Sequence, residues 1–317
     1  MASTNAAKAA FFEAVRANDC ETVRGLLAED PSWANARWVG RAGDGKMRSL
    51  GPTPYNKHTW LTIPADHDAN DPRFTSTPLI YTRDDQIVRL LVDAGADVNA
   101  RGTSGEVELP DWFFTPLWRA AHDGRLTSVR VLVERGANVN YMNPDWSNQA
   151  LKTAVENDQL DICAYLMDNR ATPDLITAAM LGLDEQVRAV LTESPNALCA
   201  RDEHGRSALD AATLLDSFRV CHDGLHDGHD RVAAILIDHG ATVELEHAAS
   251  LGLFAEVERM VERDPEILKR PKLMKALIGG TATKESPLRA ARRRGRTEIV
   301  SYLLEHGAVD VPADILV

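Results

Sequence analysis

The 317-residue chain is poor in cysteine. Its four, Cys20, Cys163, Cys199 and Cys221, lie far apart and form no CxxC. This excludes a zinc ribbon or a redox pair, and thiols so spaced suit the reducing cytoplasm. Positive charge is also short: 35 Lys and Arg face 47 Asp and Glu, a formal net charge of −12. No general basic face exists to neutralise phosphates, so nucleic acid is not an expected partner. No apolar run is long enough to span a membrane. The opening residues MASTNAAKAAFFEAV lack a basic region leading into an apolar stretch and cleavage site, so no secretion signal is expected. The phosphate-binding GxxxxGK[ST] pattern and the Gly-x-Ser-x-Gly elbow are both missing.

What the chain does have is self-similarity. The stretch Ile87–Ala100, IVRLLVDAGADVNA, reads as a helix that stops on a glycine and enters a tight turn, and versions of it recur throughout. Three segments mark helix starts: Thr77-Pro78-Leu79, Thr115-Pro116-Leu117 and Ser286-Pro287-Leu288. Thr or Ser suits the N-cap, proline suits the first helical position, and leucine begins the buried stripe. Small residues follow, as in Ala120-Ala121 and Ala290-Ala291, and allow close helix approach. A second helix then ends at a glycine such as Gly136, where left-handed geometry is cheap. A helical hairpin of this kind cannot bury its apolar face alone, so neighbours must stack. The expected fold is all-α, a helical-hairpin solenoid of about eight repeats.

The pattern resembles the ankyrin repeat family. The residues that carry the likeness are TPL at 77–79 and 115–117, GADVNA at 95–100, GANVN at 136–140, GATV at 240–243 and DEHGRSAL at 202–209. Eight second helices are expected near Cys20–Ala28, Gln86–Asp93, Leu126–Glu134, Leu160–Asp168, Asp184–Thr192, Arg231–Asp238, Ala255–Glu262 and Thr297–Glu305. Repeats one, five and seven end in Asp30-Pro31, Ser194-Pro195 and Asp264-Pro265, where proline stops the helix through the residue before it. The histidine that the family carries after TPL is missing: its column reads Phe12, Ile80, Trp118, Lys152, Ile176, Asp210, Glu246 and Arg289. The expected organisation is one solenoid over 1–317, with a capping repeat at 1–39 and an insertion at 40–75. Repeats fill 76–213, a second insertion 214–230, and the remaining repeats 231–317.

The two insertions break the repeat. Residues 40–73 are long, polar and rich in glycine and proline, yet hold Trp60, Leu61 and Ile63; loops of this length in compact domains are usually functional or disordered. All six tryptophans, Trp33, Trp38, Trp60, Trp112, Trp118 and Trp146, precede residue 147. They pack the loops or line an aromatic binding surface. Trp60, Trp112, Phe113, Trp118 and Trp146 are the candidate wall of such a surface.

His-Asp-Gly occurs three times, at His122–Gly124, His222–Gly224 and His226–Gly228. The resemblance implies that the two residues before this glycine face the concave groove. The groove would then present His122, Asp123, Glu156, His226 and Asp227 beside Trp118. Histidine next to a carboxylate suits acid/base work or a divalent metal, but no spacing here matches a ligand motif, so no metal or other cofactor is expected. The stretch Asp66–Asp71 opens like a calcium loop and then departs from it at Asp71-Pro72. Arg289, Arg292, Arg293, Arg294 and Arg296 form a basic patch, expected to cap the last repeat against water.

Two functions fit. The resemblance implies an interaction module that holds a protein partner in its groove and finger loops. The insertions, the tryptophans and the polar groove also fit a small-molecule site or an enzyme of hydrolase or lyase type. In that case His122 and Asp123 would act as the acid/base pair with Glu156 nearby, under a lid formed by 40–75.

Overall fold

Helix starts follow the capping chemistry of the sequence. Thr115 Oγ1 accepts the Trp118 backbone N–H at 3.1 Å, Pro116 takes the first helical position, and Asp84 accepts from the N–H groups of Gln86 and Ile87. These bonds satisfy donors that a helix leaves free at its first turn. In the computed structural model, the described residues are 2–37, 77–102, 114–141, 150–202, 205–214, 226–269, 272–275 and 282–309. Among them sixteen helices fall into eight consecutive pairs. They form two compact units, Met1–Thr172 and Pro173–Val317. The 40–75 insertion, with Trp60, lies outside the described residues, as do Trp112, Phe113, Trp146 and residues 215–225.

The first unit holds four pairs: α1 (Ala2–Arg16) and α2 (Cys20–Glu29), α3 (Pro78–Tyr81) and α4 (Asp85–Asp93), α5 (Pro116–His122) and α6 (Leu126–Glu134), α7 (Ala150–Glu156) and α8 (Leu160–Asp168). First helices pack on first helices (α1 on α3, α3 on α5, α5 on α7), and second helices do the same. Ile87, Leu91, Leu117, Leu132, Leu151, Ile162 and Leu166 are fully buried between them. The second pair is cut short: α3 has four residues where α5 has seven. Thr82 and Arg83 lead straight to the Asp84 cap, so this pair has no turn matching that of His122–Gly124.

The fingers of this unit are joined by asparagines. Asn35 accepts from Asp97 N–H at 2.7 Å and donates to Gly95 O at 2.9 Å. Asn99 does the same with Asn138 N–H and Gly136 O, and Asn140 with Thr172 N–H and Arg170 O. Each side-chain amide thus satisfies one backbone donor and one backbone acceptor of the following turn.

The second unit holds α9 (Leu175–Met180) and α10 (Asp184–Glu193), α11 (Ala208–Thr213) and α12 (His226–Asp238), α13 (Leu245–Leu251) and α14 (Phe254–Arg263), α15 (Pro287–Arg293) and α16 (Thr297–Glu305). The proline-stopped helices expected at Pro31, Pro195 and Pro265 each continue as one 3-10 turn, Pro31–Asn35, Pro195–Cys199 and Pro265–Lys269. An antiparallel ribbon of β1 (Lys272–Lys275) and β2 (Ala282–Glu285) joins α14 to α15, with Lys272 opposite Glu285. The all-helical array of hairpins therefore stands, with this ribbon as one of its fingers. The second helix of the sixth pair starts at His226, five residues before the expected Arg231.

Candidate functional site

The best-formed arrangement of candidate residues lies at the C-terminal end of α5. Phe114 is fixed by a backbone bridge to Gly102, and its ring stacks on Trp118 with centroids 4.1 Å apart. One helical turn later, His122 stacks on the same indole at 5.1 Å. Ile80 from the shortened α3 joins Phe114 and Trp118 in a small buried cluster. The chain then turns at Gly124, whose φ of +70° is left-handed. A side chain here would strain the backbone and strike the Gln159 carboxamide at 2.8 Å. In repeats one and four the same turn is made by Asn18 and Asp158, also left-handed.

His122 Nδ1 lies 3.0 Å from Asp123 Oδ1, and Arg119 Nε donates to Asp123 Oδ2 at 3.0 Å. Arg125 Nε is 3.8 Å from the same oxygen. Burial pushes the Asp123 carboxyl up, but the His122 hydrogen bond and the charges of Arg119 and Arg125 outweigh it and hold the group below the usual carboxylate range. An ionised Asp123 can only accept, so His122 Nδ1 must donate, and in the neutral ring the lone pair sits on Nε2. The His122 side chain is 44% exposed. Arg125 is itself held by Ser128, to whose Oγ it donates at 3.0 Å, and Ser128 in turn donates to Asp85. Burial draws the Arg125 guanidinium down from its ordinary value, against the charges of Asp123 and Asp85. The result is an oriented imidazole with a carboxylate behind it, on a side chain that is part exposed.

The structure therefore brings His122, Asp123 and Trp118 together. Glu156 ends α7, at the turn that matches His122 in the next pair. His226 and Asp227 belong to the second unit, and only their backbone is described. They were expected to face the concave groove just before the glycine of their His-Asp-Gly, in the manner of His122 and Asp123, and the backbone differs from that pattern. They open α12, and Gly228 lies inside the helix, where a Cβ would meet Gly182 O at 2.9 Å. The glycine of this third His-Asp-Gly serves close packing, because no side chain fits between the two backbones. Of the other aromatics, Trp33 stacks on Phe11 at 5.9 Å.

Reading the sequence alone missed a buried cluster in the second unit. The cap of α13 is Glu244, so the column residue is His247 rather than Glu246; likewise Asp174 caps α9, and its column residue is Thr177 rather than Ile176. The missing histidine is thus present once. His247 Nδ1 accepts the Glu244 backbone N–H at 3.0 Å, and Nε2 lies 2.8 Å from Asp210 Oδ1. Asp210 Oδ2 accepts from Ser207 N–H and Oγ, both at 2.7 Å, and pairs with Arg201 at 3.2 Å. Two capping boxes, Ser207 with Asp210 and Glu244 with His247, are thereby linked across neighbouring helices. Ligand atoms of Asp210, Glu244 and His247 lie within 4.8 Å of one another. A metal does not fit this tautomer: freeing Nε2 would move its proton to Nδ1, against the Glu244 N–H. The spacing that could have found the cluster is Ser and Glu each three residues before the column position.

The arginine patch faces inward more than expected. Arg293 donates to Leu214 O at 2.6 Å and pairs with Glu285 at 2.7 Å. Arg294 donates to Ala212 O and Asp230, and Arg296 to Ser250 O. His229 Nε2 reaches Met180 O at 2.9 Å. These cations and donors serve the carbonyls that helices leave open at their C-terminal ends.

A family model described as ankyrin repeats (many copies) matches residues 117–167, and one described as an ankyrin repeat matches 283–314. No curated protein gives a match. The first match covers α5–α8 with His122 and Asp123; the second runs from β2 through α16. Together with helix pairs of one pattern in both units, these matches identify the architecture as an array of helical hairpins that contains ankyrin repeats.

Proposed function

We propose that the chain binds a protein partner through the turn ends of its first helices and the adjoining fingers, with the first unit carrying the main contact. Ankyrin repeats are in general protein-interaction modules. The observation that carries the reading here is the Phe114–Trp118–His122 stack, which rests on the core at one end and ends in a half-exposed imidazole at the other. A rigid aromatic base with a polar tip suits an interface anchor, since little side-chain entropy remains to be lost on binding. Glu156 at the matching turn of the next repeat adds charge to this face. With four dispersed cysteines, the cytoplasm is the compartment we assign.

A photo-crosslinking residue at position 122, compared with one at Arg130 on the outer helix α6, tests this. The expected result is one recurrent partner at 122, competed by unlabelled chain and missing at 130. Equal labelling at both positions, or none at 122, overturns the reading.

The Asp123–His122 hydrogen bond favours a second reading: acid/base catalysis on a small molecule, of hydrolase or lyase type, with His122 Nε2 as the base. His122→Ala would then abolish turnover while leaving the fold intact; unchanged turnover removes His122 from that role.

A further inference from the structure

The stack at the end of α5 holds one polar atom that the fold does not use. Trp118 Nε1–H is buried, and it has no hydrogen-bond partner among the described residues. The whole residue is only 9% exposed. A buried donor left unpaired costs free energy comparable to a lost hydrogen bond, and native structures rarely keep one without a use. Its stacking neighbour offers the complementary atom: with Nδ1 donating to Asp123, neutral His122 keeps its Nε2 lone pair for an outside donor. One ladder thus carries an orphan donor and a free acceptor, on rings whose centroids are 5.1 Å apart.

We propose that the Trp118–His122 edge is a recognition site for an amide group of the bound partner, the indole N–H meeting its C=O and the imidazole Nε2 its N–H. This rests on the partner-binding reading above and adds the chemistry of the contact. The His122 side chain is 44% exposed while the indole N–H is covered, so binding at this edge requires the partner's amide to displace what lies over the N–H. Two sources supply such an amide. A carboxamide side chain carries both groups on one edge, and a residue of extended backbone points its N–H and C=O the same way.

The test needs no partner. Propionamide and N-acetylalanine N′-methylamide are titrated into the full chain, with the indole N–H and imidazole resonances followed by NMR. Saturable shifts of Trp118 and His122 are expected, with the other five tryptophans as internal controls. A larger response to propionamide assigns a carboxamide; a larger response to the blocked alanine assigns backbone. Trp118→Phe keeps the ring stack and deletes the N–H. It should remove the His122 shift and reduce probe affinity severalfold, with a melting temperature equal to or above that of the parent. Trp118 shifting no more than the other tryptophans, or a His122 shift that survives Trp118→Phe, overturns the proposal. Crosslinking at position 122 would then still stand or fall separately, so failure of the amide site and failure of partner docking are told apart.

Discussion

Met1–Thr172 and Pro173–Val317 solve one problem with different chemistry. Both must join successive hairpins whose backbone groups are open at turns and helix ends. The first unit uses neutral amides at the surface, Asn35, Asn99 and Asn140, each making the same two bonds to the next finger. The second uses ionisable groups, most of them buried: the Asp210–His247 pair, whose side chains are 1% and 2% exposed, the Asp202–Arg206 pair, and the inward-turned Arg293 and Arg294. A neutral surface bond lost to mutation is largely replaced by water, whereas a buried charge loses its partner with nothing in exchange. Repeats of one shape thus differ in how much each joint has at stake.

The largest expected effect is at the buried joint. Asp210→Ala strips partners from His247 Nε2, Ser207 and Arg201 and should cost about 3–5 kcal/mol in urea unfolding. The loss of amide-exchange protection should centre on α11 and α13. A cost under about 1 kcal/mol, or equal deprotection in the first unit, would remove the contrast. Next is Asn99→Ala, which deletes two exposed bonds and should cost about 1–2 kcal/mol, loosening the turns at Gly95 and Gly136 alone. A cost matching that of Asp210→Ala would show that the amide ladder is no cheaper to break.

A gain is expected at Arg170. It occupies the left-handed position held by Gly95 and Gly136, at φ +67°. Arg170→Gly keeps the carbonyl that Asn140 uses and should stabilise the first unit by up to about 1 kcal/mol; a loss of stability would mean that the arginine side chain contributes more than its strain costs.

The smallest effect is electrostatic. The folded-state value of Asp123 lies below its unfolded one, so its contribution is full above the unfolded carboxylate range and is lost as pH falls through the lower, folded value. Asp123→Asn should flatten that part of the stability–pH curve, followed by thermal melts between neutral and strongly acid pH. An identical curve would leave the carboxylate without a role in stability.

Much of this was legible beforehand. The eight pairs, the shortened α3 and the proline-stopped helices follow from caps, apolar spacing and breakers, which act within a few residues. Asn99 and Asn140 were visible as parts of the repeat signature, but their bonds reach into the next finger, and local spacing carries no sign of that. The registers of α9 and α13 slipped by one because Leu245 and Glu246 can be fitted to either frame; the Glu244 cap decides it. The β-ribbon had a signal in Gly279-Gly280 between two short runs, outweighed by the helical pattern on both sides. At the candidate site, His122, Asp123 and Trp118 were recognisable because helical spacing links them. The Arg119 and Arg125 supports depend on how the chain turns at Gly124, which residue spacing does not specify.

The asparagine bonds of the first unit all point one way. Every side chain belongs to the earlier finger, and every backbone group it serves belongs to the later one. A chain made from its N-terminus therefore presents each new finger with an amide already in place, whose polar groups water satisfies until that finger arrives. Run backwards, the next finger would wait with hydrated peptide groups in place of a hydrated amide. Trimming the unit from its C-terminal side therefore leaves side-chain amides to water, whereas trimming it from the other side leaves turn backbone to water.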